Sequence, residues 1–103
     1  MCRKAHGAAF VTFIGVLRSD FRFIRGERSI LRYESSQGSS RPFCRRCGST
    51  LLFESAGEDE VWIAAGSLDG DPGCRPGSHI FVGSKAPWHP LDDELPKFDT
   101  DNE

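Results

Sequence analysis

The sequence lacks any apolar run long enough to cross a membrane: the longest, 8–14, is interrupted by Thr12 and falls far short of ~20 residues. No basic leader with an apolar stretch behind it opens the chain, which argues against secretion. Four cysteines among 103 residues are too few for the disulfide scaffold of a secreted domain, so we expect reduced thiols and a cytoplasmic protein. One methionine beside eight phenylalanines, six prolines and eleven glycines excludes a helical bundle and favours a turn-rich β protein.

The apolar residues predict short strands, because they form brief runs or alternate with polar residues and follow no helical period over three turns. A chain of this length supports one core, so we predict a single mainly β domain over 1–98, a sandwich of short antiparallel strands, with a mobile acidic tail at 99–103. Residues 35–40 are predicted to be a polar loop, and 92–95 to hold one helical turn. The predicted strands, six or seven in number, include 9–17, 21–25, 28–34, 50–54, 60–65 and 79–82.

Charge is distributed unevenly along the chain, although the formal net charge is only −2. Residues 1–50 carry ten lysines or arginines against three acidic residues, whereas residues 51–103 carry three against twelve. The basic half could form a surface for an anionic ligand or macromolecule. Alternatively, both sets are solvated faces that cancel in the folded protein, since halves of a sequence need not be halves of a structure.

The strongest chemical signal is the pair Cys44 and Cys47 in the motif C-R-R-C-G. Two thiolates three positions apart on a tight turn can face one tetrahedral Zn²⁺, and Gly48 permits the left-handed backbone that closes such a turn. The two arginines favour thiolate over thiol, because a nearby cation stabilises the charged form. Thioredoxin-like redox pairs share this spacing but are followed by a helix, whereas 50–54 predicts a strand. A disulfide and two inert thiols are the remaining alternatives.

Structural zinc takes four ligands, and this motif supplies two. The other candidate ligands in the chain are Cys2, Cys74, His6, His79 and His89. Cys74 lies in a loop rich in glycine and proline, and it could reach the site or be an incidental loop thiol. His79 opens an apolar segment, where a histidine is more often a hydrogen-bonded structural residue than a ligand. His89 follows Trp88 and is expected on the surface or in packing.

Four segments, in order along the chain, resemble the glutathione-dependent formaldehyde-activating enzyme (GFA) family, which includes centromere protein V. They are C-R-K-A-H-G-A-A-F at 2–10, F-C-R-R-C-G-S at 43–49, A-G-S-L-D at 65–69, and H-I-F-V at 79–82 followed by A-P-W at 86–88. Each motif alone is modest. Their shared order and spacing, from Cys2 to about Phe98, make the resemblance specific.

The resemblance implies a mainly β, Mss4-like tent that lacks its first strands and carries two zinc sites. Cys44 and Cys47 would match half of a structural site, which an N-terminal C-x-C pair completes in the family. Cys2 would match the last ligand of a catalytic C-x-C-x-x-C cluster, whose three thiolates leave one zinc position open. The implied activity is carbon–sulfur bond formation or cleavage, which joins formaldehyde to the thiol of glutathione.

The given sequence departs from the family pattern at its start, one residue before Cys2, so two catalytic thiols and the C-x-C pair are missing. We expect either an upstream start, with Met1 internal, or a shortened variant. Such a variant would hold at most one weakly bound metal, with ligands from Cys74 or a neighbouring chain. A structural zinc contributes ~10–16 kcal/mol in small zinc peptides, comparable to a domain's net stability, so we favour the upstream start.

The leading hypothesis is a zinc-dependent carbon–sulfur lyase acting on a small thiol–aldehyde adduct, with glutathione as the expected thiol partner. The alternative is a non-catalytic, zinc-stabilised module that contacts an anionic macromolecule through the basic half, with 21–25 as its contact strand. A pI near 5.9 argues against nucleic acid as that partner. No membrane partner is expected, and an unpaired sheet edge could pair with a second copy to form a homodimer.

Overall fold

The computed structural model describes residues 2–100, which contain one short α-helix, five β-strands and four 3-10 helices. The helix α1 spans Cys2–His6. The strands are β1 (Phe13–Leu17), β2 (Ile30–Ser36), β3 (Ser39–Cys44), β4 (Leu52–Ser55) and β5 (Glu60–Ala64). The 3-10 helices are Arg18–Asp20, Glu27–Ser29, Ala65–Ser67 and Val82–Ser84. The predicted mainly β class is confirmed.

The chain forms two compact units. Residues 12–69 form the sheet unit, which contains the five strands. Residues 2–11 and 70–100 form the terminal unit, which contains α1 and the 3-10 helix Val82–Ser84. Among residues 2–100, no helix has the length and apolar character that a membrane span requires.

The five strands form one antiparallel sheet in the order β1-β5-β4-β3-β2. The β2–β3 hairpin reverses at a turn over 37–38 and pairs Ile30 with Cys44 at its far end. Because β1 and β2 are the two edges of the sheet, the connection between them, 18–29, has to pass across it.

The core of the sheet unit lies on the face that carries Leu52 and Val61, which are 3% and 0% exposed. Pro42 of the neighbouring β3 is fully buried on the same face, since alternate side chains of a strand point to one side. The crossing connection begins on this face, where Arg18 forms a 3.7 Å ion pair with Glu54. Burial of a side chain such as Leu52 contributes about 1.5–3 kcal/mol, so this face supplies much of the unit's stability.

The opposite face of the sheet carries aromatic side chains. The rings of Phe13 and Phe53 lie tilted against each other with centroids 6.5 Å apart. The Arg41 guanidinium lies 5.0 Å from the centre of the Phe53 ring, a cation–π contact. The Trp62 ring lies over Gly15, its partner across the β1–β5 ladder. A glycine is therefore needed at position 15 for the close approach of this ring.

The predicted strand at 21–25 is wrong, because this segment is not a strand in the structure. Phe21 and Phe23 are half-buried and pack edge to face, with centroids 5.1 Å apart. Arg22 and Ile24 between and after them are exposed, Ile24 to 88%. Apolar and polar residues alternate here because one side of the segment is half-buried, although the segment pairs with no neighbouring strand. The binding-module hypothesis loses its contact strand.

The predicted polar loop at 35–40 is also corrected, because its ends belong to the β2–β3 hairpin and β3 begins at Ser39. The Ser39 and Ser55 hydroxyl oxygens are 3.0 Å apart, so polar side chains pair across neighbouring strands. The residues of β3, S-S-R-P-F-C, show little apolar alternation, and Pro42 lacks an N–H for a ladder. This strand forms in spite of its composition because it pairs with β2 on one side and β4 on the other.

The predicted strand at 79–82 is replaced by a single parallel bridge between His79 and Lys97. The 3-10 helix Val82–Ser84 follows directly. Phe81 has a left-handed backbone, with φ of 54°, which interrupts the extended conformation after two residues. The apolar residues of this segment therefore pack in an irregular region.

The C-terminal residues also differ from expectation. The segment 92–95 contains bends and no helical turn. At the start of the predicted mobile tail, the Asp99 carbonyl accepts a hydrogen bond from the Gly83 N–H (3.2 Å), and the Thr100 carbonyl accepts one from the Phe81 N–H (2.9 Å). Residues 101–103 of that predicted tail lie outside the described residues.

Gly15→Ala should destabilise the sheet unit, because an added Cβ would lie 2.7 Å from the Trp62 ring and 2.8 Å from the Glu60 carboxylate. Overpacking of this kind typically costs about 1–3 kcal/mol. Gly66→Ala, in the same unit, is the matched control because its Cβ would meet open space. Urea unfolding should give a lower midpoint for Gly15→Ala only. Equal midpoints would mean that the ring moves aside without cost.

Candidate functional site

The cysteine turn begins where β3 ends. Cys44 is the last residue of β3 and pairs with Ile30 of β2. Its N–H donates to the Ser49 carbonyl (2.9 Å), and its carbonyl accepts from the Gly48 N–H (2.7 Å). Gly48 has φ of 81°, the left-handed conformation that glycine adopts at little cost. Two backbone hydrogen bonds therefore close the turn on itself.

A third backbone hydrogen bond ties this turn to the start of β2. The Arg45 N–H donates to the Ser29 carbonyl (2.8 Å), at the end of the 3-10 helix that precedes the strand. Arg45, Arg46 and Cys47 are exposed, whereas Cys44 is half-buried. The turn therefore presents its second thiol and two cations to solvent.

The second thiol of the turn is polarised by its neighbours. Cys47 Sγ and Ser49 Oγ are 3.1 Å apart, within hydrogen-bond distance for sulfur. This contact, the Ser49 N–H and the Cys44 thiol lower the pKa of the Cys47 thiol. A lowered pKa favours thiolate, the form that binds metals. Sequence reasoning missed Ser49, although a hydroxyl two residues after the second cysteine could have signalled it.

The donor set of the turn fits a soft, tetrahedral metal such as Zn²⁺, because two thiols three positions apart lie on a turn closed by backbone amides. A structural zinc takes four ligands, of which these thiols could supply two. Within residues 2–100, no group of three or more His, Cys, Asp or Glu side chains is placed to hold a metal ion. A metal at this turn therefore needs ligands besides the described side chains.

Cys2 lies in the terminal unit, on α1, and is half-buried. Beside it, Arg3 Nε donates to the Ser84 carbonyl (3.3 Å), which connects α1 to the 3-10 helix Val82–Ser84. The Arg3 carbonyl accepts from the Ala8 N–H (3.0 Å), a backbone bond that closes the end of α1. The two cysteine motifs therefore belong to different units, with Cys2 in one and Cys44 and Cys47 in the other.

Cys74 is exposed, in a loop of the terminal unit that is closed by an ion pair. The Arg75 guanidinium donates two hydrogen bonds to the Asp71 carboxylate, at 2.9 and 2.8 Å, and the Gly73 N–H donates a third at 2.8 Å. The hydrogen bonds from Arg75 lower the pKa of Asp71 to about 2. These charged side chains hold the loop, in keeping with an incidental thiol at this position.

His79 is a hydrogen-bonded structural residue, as expected. Its Nε2 lies 2.8 Å from Asp93 Oδ2, and its side chain is 17% exposed. Lys97 Nζ lies 3.2 Å from the other carboxylate oxygen, Oδ1. The hydrogen bond from His79, together with those from Lys97 and the Leu95 N–H, lowers the pKa of Asp93 to about 2. Sequence reasoning missed Asp93 and Lys97, because no local pattern pairs residue 79 with residue 93.

The other two histidines lie elsewhere in the terminal unit. The His89 ring lies 5.4 Å from that of Phe10 and 6.2 Å from that of Trp88, which confirms its expected packing role. His6 is half-buried on α1, four residues after Cys2. The structure therefore gives each candidate ligand a place, but it does not bring the candidates together into one cluster among residues 2–100.

A protein-family model described as glutathione-dependent formaldehyde-activating enzyme matches residues 1–84. The matched region includes Cys2, the five strands and the cysteine turn. The match ends at Ser84, so the A-P-W segment at 86–88 lies outside it, although the resemblance was expected to extend to about Phe98. No curated protein gives a significant match to the chain.

Gly48→Ala should destabilise the cysteine turn, because the left-handed backbone costs a residue with a Cβ roughly 1–2 kcal/mol. Open space surrounds the added Cβ, so this conformational cost is the expected effect. Gly48→Asn is the matched variant, since asparagine adopts this conformation more readily. In urea unfolding, the asparagine variant should lie between wild type and the alanine variant. An alanine variant as stable as wild type would contradict the left-handed turn.

The Asp93 carboxyl should titrate near pH 2 in the folded protein, below its usual value of 3.8. Because its pKa is lower in the folded state, the stability it contributes is complete above pH 3.8 and is lost as the pH falls towards about 2. NMR of the carboxyl carbon measures this midpoint. His79→Gln should move it back towards 3.8, and a wild-type midpoint already at 3.8 would refute the His79 contact.

Proposed function

The chain belongs to the glutathione-dependent formaldehyde-activating enzyme family, and we propose that it is a zinc-dependent carbon–sulfur lyase acting on an adduct of a small thiol and an aldehyde. The observation that carries this proposal is the family match over residues 1–84, which includes both cysteine motifs. Glutathione with formaldehyde is the proposed substrate pair. A function related to glutathione-dependent formaldehyde activation is what the match itself supports.

Cys44 and Cys47 are the proposed ligands of a structural zinc. The closed turn and the lowered pKa of the Cys47 thiol support this role. The Arg45 N–H bonds the turn to the residue before β2. A metal bound at the turn would therefore also stabilise this end of the β2–β3 pair. Two further ligands would complete a tetrahedral site.

Cys2 is the proposed ligand of a second, catalytic zinc. Cys2 would supply a thiolate ligand to that zinc, and the zinc would supply Lewis-acid chemistry that lowers the pKa of a substrate thiol. In the forward reaction, the thiol sulfur adds to the carbonyl carbon of the aldehyde. One carbon–sulfur bond forms as the carbonyl π bond opens, and the oxygen takes up one proton, which balances the proton that the thiol released on ionisation. Cleavage is the reverse.

The charges beside Cys2 suit an anionic thiol such as glutathione. Arg3 is engaged through Nε with the Ser84 carbonyl, so its guanidinium is held in place beside α1. Lys4 is exposed and offers a cation on the same helix. We assign Lys4 to electrostatic attraction of the substrate, an effect that salt weakens.

The test is turnover of glutathione and formaldehyde by the natural full-length product, followed by NMR of the hydroxymethyl adduct. Wild type and Cys74→Ser should both accelerate adduct formation, whereas Cys2→Ser should fall to the uncatalysed rate. Zinc analysis should show about one ion fewer per chain for Cys47→Ser than for Cys74→Ser. Unchanged turnover in Cys2→Ser would defeat the lyase proposal, and unchanged zinc in Cys47→Ser would defeat the structural site.

A further inference from the structure

The last part of the terminal unit lies outside the family match yet is hydrogen-bonded to its end. Residues 96–100 run beside residues 79–84, and we call these two segments the clasp. The backbone hydrogen bonds of the clasp are His79 N–H to Pro96 carbonyl (2.8 Å), Phe98 N–H to His79 carbonyl (2.9 Å), Val82 N–H to Phe98 carbonyl (2.9 Å), Gly83 N–H to Asp99 carbonyl (3.2 Å) and Phe81 N–H to Thr100 carbonyl (2.9 Å). Residues 96–100, which the family model does not match, are therefore hydrogen-bonded to residues 79–83, which it does match.

Both carboxylate oxygens of Asp93 form contacts with residues in or next to the clasp. Oδ2 contacts His79 Nε2 (2.8 Å), and Oδ1 accepts from the Leu95 N–H (3.1 Å) and from Lys97 Nζ (3.2 Å). Lys97 Nζ also donates to the backbone carbonyls of Asp93 (2.7 Å) and Leu95 (2.9 Å). One carboxylate thus connects residue 79 of the matched region to a turn at 93–97.

The clasp also holds a strained residue. Phe81 has φ of 54°, a conformation that an aromatic residue adopts only when its surroundings impose it. Its N–H is bonded to the Thr100 carbonyl, and its carbonyl accepts from the Ser84 N–H (3.0 Å). The left-handed Phe81 directs the chain into the 3-10 helix Val82–Ser84, so the clasp determines where the Ser84 carbonyl lies.

The Ser84 carbonyl is the acceptor for Arg3, the residue after Cys2. A helix of five residues is too short to be stable alone, since isolated helices need roughly 12–15 residues. The first turn of α1 also lacks an acidic residue that would favour helix formation. The position of α1 therefore depends on contacts with the rest of the terminal unit.

We propose that Asp93 and Arg3 are positioning residues for Cys2: Asp93 holds the clasp, the clasp places the Ser84 carbonyl, and Arg3 binds that carbonyl and holds α1. The significance of placing Cys2 rests on its proposed role as a zinc ligand. The position of the Cys2 thiol affects its reactivity, which can be measured without metal or substrate.

The experiment is peptide-resolved alkylation of the metal-free, reduced chain by iodoacetamide, with mass spectrometry reporting each cysteine. Asp93→Asn should speed alkylation of the half-buried Cys2 by roughly threefold, a modest factor because partly exposed charge contacts are screened by solvent. The rate at Cys74, in the ion-paired loop, should not change. Glu94→Gln, the exposed neighbour, is the matched control and should behave as wild type.

Arg3 tests the last step directly. Arg3→Met should speed alkylation of Cys2 as Asp93→Asn does, and Arg3→Lys should restore slow alkylation in part, because its ammonium can donate to the same carbonyl. Hydrogen exchange should show that Asp93→Asn exposes the Val82 and Phe98 amides, whereas Arg3→Met leaves them protected. If Asp93→Asn does not fold, the Arg3 pair decides.

Exposed clasp amides with an unchanged rate at Cys2 would overturn the proposal, as would equal rates in Arg3→Met and wild type. If Asp93→Asn and Arg3→Met alter the alkylation rate of Cys2 but the natural full-length product shows no turnover, the positioning is upheld and the lyase function is refuted. The two proposals therefore fail separately.

Discussion

The register of β2 against β3 is the constraint on which the cysteine turn depends. Ile30 lies opposite Cys44, so the pairing of β2 with β3 ends at the first cysteine. The chain then reverses, and Thr50 forms an antiparallel bridge with Phe43. The Arg45 N–H then bonds to Ser29 at the same end of the pair. A slip of one residue would move the Cys44 side chain to the other sheet face. The geometry of the proposed zinc ligands is thus conditional on correct strand pairing.

The terminal unit is held together in another way. It contains one five-residue helix and a 3-10 helix among its described residues, so long strand ladders do not stabilise it. Hydrogen bonds between distant segments take their place, and Asp93 joins His79 to the turn that ends at Lys97. Such contacts are individually weak and, because they are exposed, partly screened by solvent.

Local apolar patterns were sufficient to predict the positions of β1, β2, β4 and β5 to within a few residues, because each contains aromatic or β-branched side chains. They were insufficient for β3, whose polar residues are ordered by partners on both sides, and misleading at 21–25, where extended backbone has no ladder. The tight turn at Gly48 was predictable, since its residues are adjacent in sequence. The Asp93 contacts were not, because they join residues that only the fold brings together.

Zinc X-ray absorption tests most directly whether Cys44 and Cys47 hold zinc through sulfur, as proposed. In a variant with Cys2 and Cys74 replaced by serine, these two thiols are the chain's remaining sulfhydryls. The spectrum should show bound zinc with sulfur neighbours at ~2.3 Å. Zinc surrounded by nitrogen and oxygen neighbours alone, at ~2.0–2.2 Å, would contradict it.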